Sequence, residues 1–302
     1  MKKQLKIVFA IPELDHGGPD QVFFEIISFL ASSTKHQFFL IITKDDGFYL
    51  KKLNKKIKVI IIKRPFRLWS RYPVDAALIK VHQINPDVVL TTLRMNLVFN
   101  FIYKFLPRKT KLITRIANDI SSNSELLRKS SFKSSIGNFF SKAVINNTDM
   151  ILCQSRYMKK DLNKYIKTKT KVSYIYNPTP SKIILQKFQS KRNRSVSPIF
   201  ISVGRLEYQK GFDILIQSFK KVIKVLPDAN LFIYGEGSQK LVLKNLIKDL
   251  DLAKNIEIKG FSHNIYKELK DADLFLLASR FEGFSNALLE ALFLGIPVIT
   301  SK

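Results

Sequence analysis

Residues 279–290 read SRFEGFSNALLE, and this stretch is the most informative in the chain. It follows an apolar run, Leu274 to Leu277, that has the length and composition of a buried strand. From Ser285 onward the apolar residues recur at helical spacing, which predicts a helix that begins there. The stretch is therefore predicted to be a strand-to-helix turn, where free backbone N–H groups and the helix dipole favour an anionic ligand.

Two carboxylates, Glu282 and Glu290, stand at the two ends of this turn. A helix rises about 1.5 Å per residue, so Ser285 and Glu290 are expected to lie about 7.5 Å apart along the axis. One elongated ligand can meet both carboxylates at that spacing. The pattern indicates a nucleotide joined to a sugar.

The rest of the chain alternates short apolar strands with helical segments, from Lys6 to Ile11 at the start to Val298 to Thr300 at the end. This alternation predicts α/β domains with parallel sheets covered on both faces. The apolar periodicity lapses between Asn177 and Pro198 and restarts at Ile199. We therefore predict two Rossmann-like domains, residues 1–180 and 199–302, joined by a linker at 181–198.

Composition restricts the class of protein. The chain has 302 residues, of which 46% are hydrophobic, and a single cysteine, Cys153, which excludes an intrachain disulfide and fits a reducing compartment. No apolar run reaches the roughly 18 residues of a spanning helix, and Pro12 and Glu13 interrupt the first apolar run, so no signal peptide is predicted. The expected location is the cytoplasm.

The charge is strongly positive, with 51 basic and 24 acidic residues and a net charge of +27. Such a chain is attracted to polyanions, including the anionic inner face of a cell membrane. Two basic and aromatic segments, 99–108 and 128–142, are candidates for a peripheral membrane contact. A general preference for lysine explains them equally well, and no nucleic-acid-binding motif accompanies the charge, so no nucleic-acid partner is expected.

Three motifs carry a family resemblance: the paired glutamates of 282–290, the loop VGRLEYQKG at 203–211, and YGEG at 234–237. Together they resemble the retaining glycosyltransferases of the GT-B fold, specifically glycosyltransferase family 4. The resemblance implies two Rossmann-like βα domains that face each other across a cleft. Relatives continue with further βα units, so the second domain is expected to be incomplete and the chain to be truncated at its C-terminus.

The resemblance also implies a donor site in the second domain. Arg205 and Lys210 match the residues that contact the donor diphosphate, and Glu282 matches the glutamate beside the donor sugar; these three are the expected catalytic residues. Glu290 is expected on the ribose hydroxyls, and the donor-binding backbone is that of Gly204, Gly283, Phe284, Ser285 and Asn286. The alternatives are solvated surface cations, a solvent-facing Glu290 and a Glu282 that caps a turn.

In the first domain, Gly17 and Gly18 precede a helix and are candidates for an acceptor or phosphate loop. A loop that merely turns there is the alternative. Many relatives carry a histidine near Arg115–Asp119, where this chain has Ala117 and Asn118. Asn118 joins the candidate acceptor residues, and a histidine proton relay is not expected.

No metal and no cofactor are expected. Asp271-Ala272-Asp273 matches an Asp-x-Asp metal signature only formally, because it lies at a predicted helix end before a strand, where acidic residues are ordinary. Gly235-Glu236-Gly237 lacks the third glycine of a dinucleotide fingerprint, and the chain has no Walker loop.

The sequence thus predicts an enzyme that moves a sugar from a nucleotide-diphosphate sugar to a saccharide or lipid-linked acceptor in cell-surface glycan synthesis. We expect retention of configuration, no metal and a cytoplasmic protein that is peripheral on the membrane. An inactive fragment that still binds nucleotide sugar, and a basic nucleic-acid-binding βα protein, are the alternatives.

Overall fold

The computed structural model describes residues 3–63, 73–117, 147–165, 168–178, 197–262 and 264–301. The chain forms two compact units, Met1–Pro178 and Thr179–Lys302. Apart from Ser197 and Pro198, the predicted linker at 181–198 lies outside the described residues, as does Asn118.

The N-terminal unit contains a seven-stranded sheet in the order β3-β2-β1-β4-β5-β6-β7, and every neighbouring pair of strands is parallel. Its strands are β1 (Lys6–Ala10), β2 (Gln37–Ile42), β3 (Ile57–Ile61), β4 (Val88–Thr92), β5 (Lys111–Arg115), β6 (Met150–Cys153) and β7 (Lys171–Tyr174). Its described helices are α1 (Gly18–Ser33), α2 (Val74–Ile84), α3 (Met95–Phe101) and α4 (Arg156–Tyr165).

Both faces of this sheet are covered, as the continuous apolar strands predict. On one face α1 packs Phe23 against Phe9 of β1. The ring centroids are 5.6 Å apart and the ring planes meet at 86°. On the other face α2 and α3 pack against Val8, Val89 and Leu112. Helices therefore cover the two faces of the sheet, and the loops that follow the strands lie at its carboxyl edge.

The C-terminal unit contains a five-stranded parallel sheet in the order β10-β9-β8-β11-β12. The strands are β8 (Ile199–Val203), β9 (Asn230–Tyr234), β10 (Ile256–Gly260), β11 (Leu274–Leu277) and β12 (Val298–Thr300). The helices are α5 (Phe212–Ile223), α6 (Lys240–Asp249), α7 (Ile265–Leu269) and α8 (Asn286–Phe293). The predicted α/β class with two parallel sheets is confirmed.

One helix of the N-terminal unit was not predicted. Helix α3 carries Asn96 and Asn100 among its apolar residues, and these interrupt the pattern that identifies a helix in sequence. Both amides are buried and bonded: Asn96 donates to the Arg115 carbonyl at 3.0 Å, and Asn100 donates to the Thr114 hydroxyl at 3.1 Å. The polar residues are therefore part of the packing between α3 and β5.

Cys153 is 1% exposed in β6, where it is part of the core packing. Burial raises the pKa of its thiol to about 11, so the thiolate is not the stable form near neutral pH. Among the described residues, no helix is long and apolar enough to cross a membrane.

Candidate functional site

Two loops of the C-terminal unit meet at the carboxyl edge of its sheet. The 204–211 loop follows β8 and the 278–285 loop follows β11, and these two strands are paired neighbours. Ligands of open α/β sheets bind at this edge, outside the carboxyl ends of the strands. Topology therefore brings the two sequence motifs together, although they are far apart along the chain.

An ion pair joins the two loops. The Lys210 ammonium donates to Oε1 of Glu282, and the Ser279 hydroxyl donates to the same oxygen at 2.9 Å. Both charged side chains are mostly shielded from water, with 15% of Lys210 and 21% of Glu282 exposed. The other carboxylate oxygen, Oε2, has no hydrogen-bond partner within the described part of the chain, and it can accept a hydroxyl of a bound sugar.

Glycine permits the close approach of these loops at two positions. At Gly204 a Cβ would lie 3.3 Å from the Cδ and Cε atoms of Lys210, so the lysine stem lies directly over this glycine. At Gly211, which precedes α5 with φ of 62°, a Cβ would lie 2.0 Å from the Ala278 carbonyl oxygen. Only glycine combines that left-handed conformation with that contact.

Arg280 also links these loops, through contacts with Asp213 of α5 and with Tyr208. Its guanidinium donates to both carboxylate oxygens of Asp213, at 2.7 and 2.6 Å, and lies over the Tyr208 ring, 4.0 Å from its centroid. The hydrogen bond with Arg280 lowers the pKa of Asp213 below its ordinary range, so the carboxylate stays charged at neutral pH. This bidentate pair is a structural clamp beside the Lys210–Glu282 pair.

Backbone bonds complete the junction. The Arg280 amide donates to the Gln209 carbonyl at 2.8 Å, and the Gln209 side chain donates to the Phe281 carbonyl at 3.0 Å. After β12, the Ser301 hydroxyl donates to the Ser279 carbonyl at 2.6 Å. The positions of Lys210 and Glu282 are thus set by several bonds on either side.

Glu290 is buried in α8, 6% exposed, and it accepts a hydrogen bond from the Tyr266 hydroxyl of α7 at 3.2 Å. The alternative of a solvent-facing Glu290 therefore does not hold. Ser285 is the N-cap of α8 and accepts from the Leu288 amide at 3.4 Å, which places the helix start where the sequence predicted it. Gly283 is buried, and Phe284 and Asn286 are half-buried.

Arg205 is placed differently from Lys210. Its side chain is exposed and makes no hydrogen bond with a described residue. Neighbouring Glu207 accepts from the Ser238 amide at 2.9 Å and its hydroxyl at 2.7 Å, which lowers the pKa of Glu207. The assignment of Arg205 to the donor diphosphate stays a prediction, with an exposed side chain that can reach a ligand.

In the N-terminal unit, a carboxylate occupies the N-terminus of α1. Asp20 accepts from the Gly17 amide at 3.2 Å and from the Asp15 amide at 3.1 Å, and burial raises its pKa to about 6. The Gly17 amide is therefore already bonded within the loop, and an ionised Asp20 repels a phosphate there. The role of Gly17 and Gly18 as an acceptor or phosphate loop stays a prediction.

Asp273 of the Asp-x-Asp segment has a structural role. Asp273 accepts from the Ile199 amide at 2.8 Å and its own amide donates to the Ile199 carbonyl at 2.8 Å, which joins the start of β8 to the start of β11. Over the described ranges, no cluster of three or more His, Cys, Asp or Glu side chains is arranged to hold a metal.

Sequence reasoning did not assign four residues that shape this site: Ser279, Arg280, Asp213 and Tyr266. Ser279 and Arg280 lie inside the quoted motif, so proximity to Glu282 was an available signal. Asp213 and Tyr266 carry no such signal, because their partners come from other segments of the chain.

Comparison with known proteins agrees with this geometry. Residues 184–302 match the family model described as Glycosyl transferases group 1. The crystal structure of Anabaena HepE in complex with UDP-glucose has the same fold, with a TM-score of 0.77 and 19% sequence identity, covering 99% of this chain and 81% of that one. The fold is that of the GT-B class of glycosyltransferases.

Within that class, residues 184–302 form a glycosyl transferases group 1 domain. An uncharacterized glycosyltransferase of Methanocaldococcus jannaschii is 32% identical over 252 residues, which are 78% of this chain and 60% of that protein. The N-acetylgalactosamine-N,N'-diacetylbacillosaminyl-diphospho-undecaprenol 4-alpha-N-acetylgalactosaminyltransferase of Campylobacter jejuni is 32% identical over 63% of this chain and 51% of its own length. The O-antigen biosynthesis glycosyltransferase WclY of Escherichia coli is 27% identical over 99% of this chain and 80% of its own.

The chain therefore spans 60% and 51% of the lengths of the first two of these relatives.

Proposed function

We propose that this chain is a glycosyltransferase that moves a sugar, with retention of configuration, from a nucleotide-diphosphate sugar to a saccharide or lipid-linked acceptor in cell-surface glycan synthesis. The C-terminal unit holds the donor and the N-terminal unit holds the acceptor. The observation that carries the proposal is the Lys210–Glu282 pair at the carboxyl edge of the C-terminal sheet, with Ser279 bonded to the same carboxylate.

This pair supplies two different groups to one ligand. The Lys210 ammonium has three N–H donors and is suited to the negative charge that develops on a departing diphosphate. The Oε2 atom of Glu282 is suited to a sugar hydroxyl. The two charges neutralise each other in the absence of ligand, which limits the cost of holding them partly out of water.

The reaction we propose breaks the bond between the anomeric carbon and the β-phosphate oxygen of the donor. A bond from the anomeric carbon to the acceptor oxygen forms on the same face of the sugar. The acceptor hydroxyl proton goes to the departing diphosphate, so no enzymatic nucleophile and no metal are needed. Lys210 and the exposed Arg205 stabilise the diphosphate charge, and Glu290 accepts from the ribose hydroxyls.

The names of the relatives support the acceptor class. The Campylobacter jejuni protein is named for a diphospho-undecaprenol acceptor, and the Escherichia coli protein for O-antigen biosynthesis. Acceptors of this kind are anchored in a membrane, and a basic cytoplasmic protein is attracted to the anionic surface of that membrane. No nucleic-acid partner is part of this proposal.

One surface of the N-terminal unit fits a peripheral membrane contact. In the segment 99–108, Phe99 and Ile102 are buried, whereas Phe101 is 73% and Phe105 63% exposed. Exposed Lys104, Arg108 and Lys109 are close to them in sequence. Two exposed aromatic rings beside basic residues are typical of surfaces that rest on anionic lipid. The second candidate segment, 128–142, lies outside the described residues.

A donor panel tests the main proposal. The chain is incubated with UDP-, GDP- and ADP-sugars and an acceptor extract from bacterial membranes, and the release of nucleoside diphosphate is measured. NMR of the product then gives the anomeric configuration; an inverted anomer would contradict retention. Donor binding measured by calorimetry separates an inactive donor-binding chain, which binds without turnover, from a chain that does not bind nucleotide sugars at all.

Flotation with liposomes tests the membrane contact. We expect the chain to float with vesicles that contain phosphatidylglycerol and to remain behind with purely zwitterionic vesicles. A variant with both Phe101→Ser and Phe105→Ser should bind less, while Phe29→Ser, which removes an exposed ring at another place, should not. Equal binding by all three proteins would contradict a contact through Phe101 and Phe105.

A further inference from the structure

The N-terminal unit contains a buried cation with no neutralising carboxylate among the described residues. Arg115 is the last residue of β5 and is 3% exposed. It pairs with Thr92 at the end of β4 and Leu152 in β6, so it lies at the carboxyl edge near the centre of the seven-stranded sheet. This is the edge at which open α/β sheets bind ligands.

Neutral groups surround the guanidinium. One terminal nitrogen donates to Oδ1 of Asn177 at 3.0 Å and the other to the Thr92 hydroxyl at 3.4 Å, and the guanidinium carbon lies 5.7 Å from the Phe23 ring. Arginine has five N–H donors, so these bonds use only part of its capacity. Burial lowers the pKa of Arg115 to about 10, and no charged neighbour contributes to this change.

A second row of amides holds the partners in place. The Asn177 side chain donates to Oε1 of Gln154 at 3.0 Å, and Gln154 donates to the Ile116 carbonyl at 3.3 Å. Because the Asn177 amide nitrogen is engaged by Gln154, its oxygen points to Arg115. The ends of β5, β6 and β7 thus contribute one connected arrangement that orients the guanidinium.

Such an arrangement is costly unless an anion completes it. Moving a charge out of water carries a free-energy penalty that hydrogen bonds to neutral groups offset only in part. Buried charges in proteins are accordingly paired or bind a charged ligand. Arginine presents a planar fork that matches the oxygens of a phosphate.

We propose that Arg115, with Thr92 and Asn177, forms an anion site in the N-terminal unit that binds a phosphate or diphosphate group of the glycosyl acceptor. The inference rests on the proposed function for the identity of the ligand. None of its members is a predicted donor residue, and all of them belong to the N-terminal unit. Arg115 is here a binding group for the acceptor and has no part in bond breaking.

Calorimetric titration of the full chain with inorganic pyrophosphate tests the site. We expect an Arg115-dependent binding component that weakens about tenfold or more in Arg115→Gln and persists in Arg205→Ala. Arg156→Gln, which removes an exposed arginine after β6, is the matched control and should leave this component unchanged. Binding that is equal in wild type and Arg115→Gln would overturn the proposal.

The same titrations separate this inference from the proposed function. If the donor site is absent, Arg205→Ala changes nothing while Arg115→Gln still removes pyrophosphate binding. Geranyl diphosphate and inorganic pyrophosphate then distinguish a lipid-linked ligand from the bare anion. Tighter binding of the prenyl compound assigns the site to a lipid-linked acceptor. Equal binding of the two compounds shows that the site recognises the anionic group alone. Tighter binding of malate than of either compound would overturn the phosphate assignment.

Thermal unfolding gives a second readout that a purely structural arginine would not produce. We expect Arg115→Met to unfold within about 3 °C of the wild type in phosphate-free buffer and to lose the stabilisation that pyrophosphate confers on the wild type. If Arg115→Met lowers the unfolding temperature by about 10 °C or more and the wild type shows no pyrophosphate shift, the role is structural and the proposal fails.

Discussion

Lys210 and Glu282 are paired across 72 residues of sequence, and this pair joins the loops that follow the neighbouring strands β8 and β11. Each residue belongs to a separate motif that the sequence connects with a nucleotide sugar. Their contact places a cation and a hydrogen-bond-accepting oxygen at one sheet edge, which suits the glycosyl diphosphate donor that we propose.

Replacement of Lys210 by alanine should reduce turnover by about 10² to 10³, because a cation that stabilises the departing diphosphate is lost. Glu282→Gln should also reduce turnover, while the fold remains, because the amide keeps the shape of the carboxylate. Initial rates of nucleoside diphosphate release measure both effects. Lys220→Ala, which removes an exposed lysine of α5, is the control, and an equal loss in that variant would indicate a general charge effect.

Disruption of the Arg280–Asp213 clamp should lower stability and weaken donor binding together. Arg280→Met loses two charge-assisted bonds that are partly exposed, so we expect roughly 1–2 kcal/mol of unfolding free energy to be lost. Urea unfolding of Arg280→Met, Asp213→Asn and the double variant measures the coupling. Additive losses from the two single changes would show that the clamp contributes nothing as a pair.

The clamp also has a defined pH window. Arg280 lowers the pKa of Asp213 from its ordinary 3.8 in the folded state. The stabilisation is therefore fully present above about pH 4 and is lost as the pH falls through the lowered folded value. Wild type and Arg280→Met should differ in stability at neutral pH and converge in acid, as followed by urea unfolding at a series of pH values.

Two glycines of the C-terminal unit that have positive φ, Gly211 and Gly295, should respond differently to alanine. Gly211→Ala places a Cβ 2.0 Å from a carbonyl oxygen at a positive φ, and we expect a loss of about 3 kcal/mol or more. Gly295, at φ of 71°, has no atom within 4 Å of an added Cβ, so Gly295→Ala should cost only about 1–2 kcal/mol. A similar loss in both variants would argue against the contact with Ala278.

Gly204→Ala should affect function more than folding. The atoms nearest to the added Cβ are the methylene carbons of Lys210, which can move. We expect near-normal unfolding in urea and a reduced rate of donor turnover, because displacement of Lys210 changes its position relative to Glu282. If the folded Gly204→Ala variant has normal turnover, the position of Lys210 over Gly204 does not determine the reaction rate.

Asp20 should make the stability of the N-terminal unit depend on pH. Burial raises the pKa of Asp20 from 3.8 to about 6, so the folded state binds the proton more tightly than the unfolded state. Stability from this group is present below about pH 4 and is lost as the pH rises to about 6, an effect of about 3 kcal/mol. Asp20→Asn, whose amide oxygen can still accept from Gly17 and Asp15, should flatten the profile measured by urea unfolding between these values.

Chelation should not change activity. The acidic side chain of Asp273 is bonded to the start of β8, and the Lys210 cation is placed to stabilise the diphosphate without a metal. Turnover in EDTA should equal turnover with added Mg²⁺ or Mn²⁺. A loss of activity in EDTA that Mn²⁺ restores would contradict the metal-independent mechanism.

Much of the fold could be predicted because the signals are local. Strands β1, β11 and β12 begin and end close to the predicted residues, since continuous apolar runs of this length suit a buried parallel strand. Helix α3 was not predicted because Asn96 and Asn100 interrupt its apolar pattern. Both residues are buried with partners on β4 and β5, but a polar residue whose partner is distant in sequence is expected to be exposed.

The candidate site was also predictable only in part. The sequence by itself determined the α/β class, the two motifs and the identity of Glu282, Glu290, Arg205 and Lys210 as candidates, because strand, turn and helix signals lie within a few residues of one another. Only the tertiary structure decided that Lys210 contacts Glu282, that Glu290 is buried against Tyr266, and that Arg115 is buried without a carboxylate among the described residues. These relationships depend on which strands are neighbours, and strand order is set by the packing of the whole sheet.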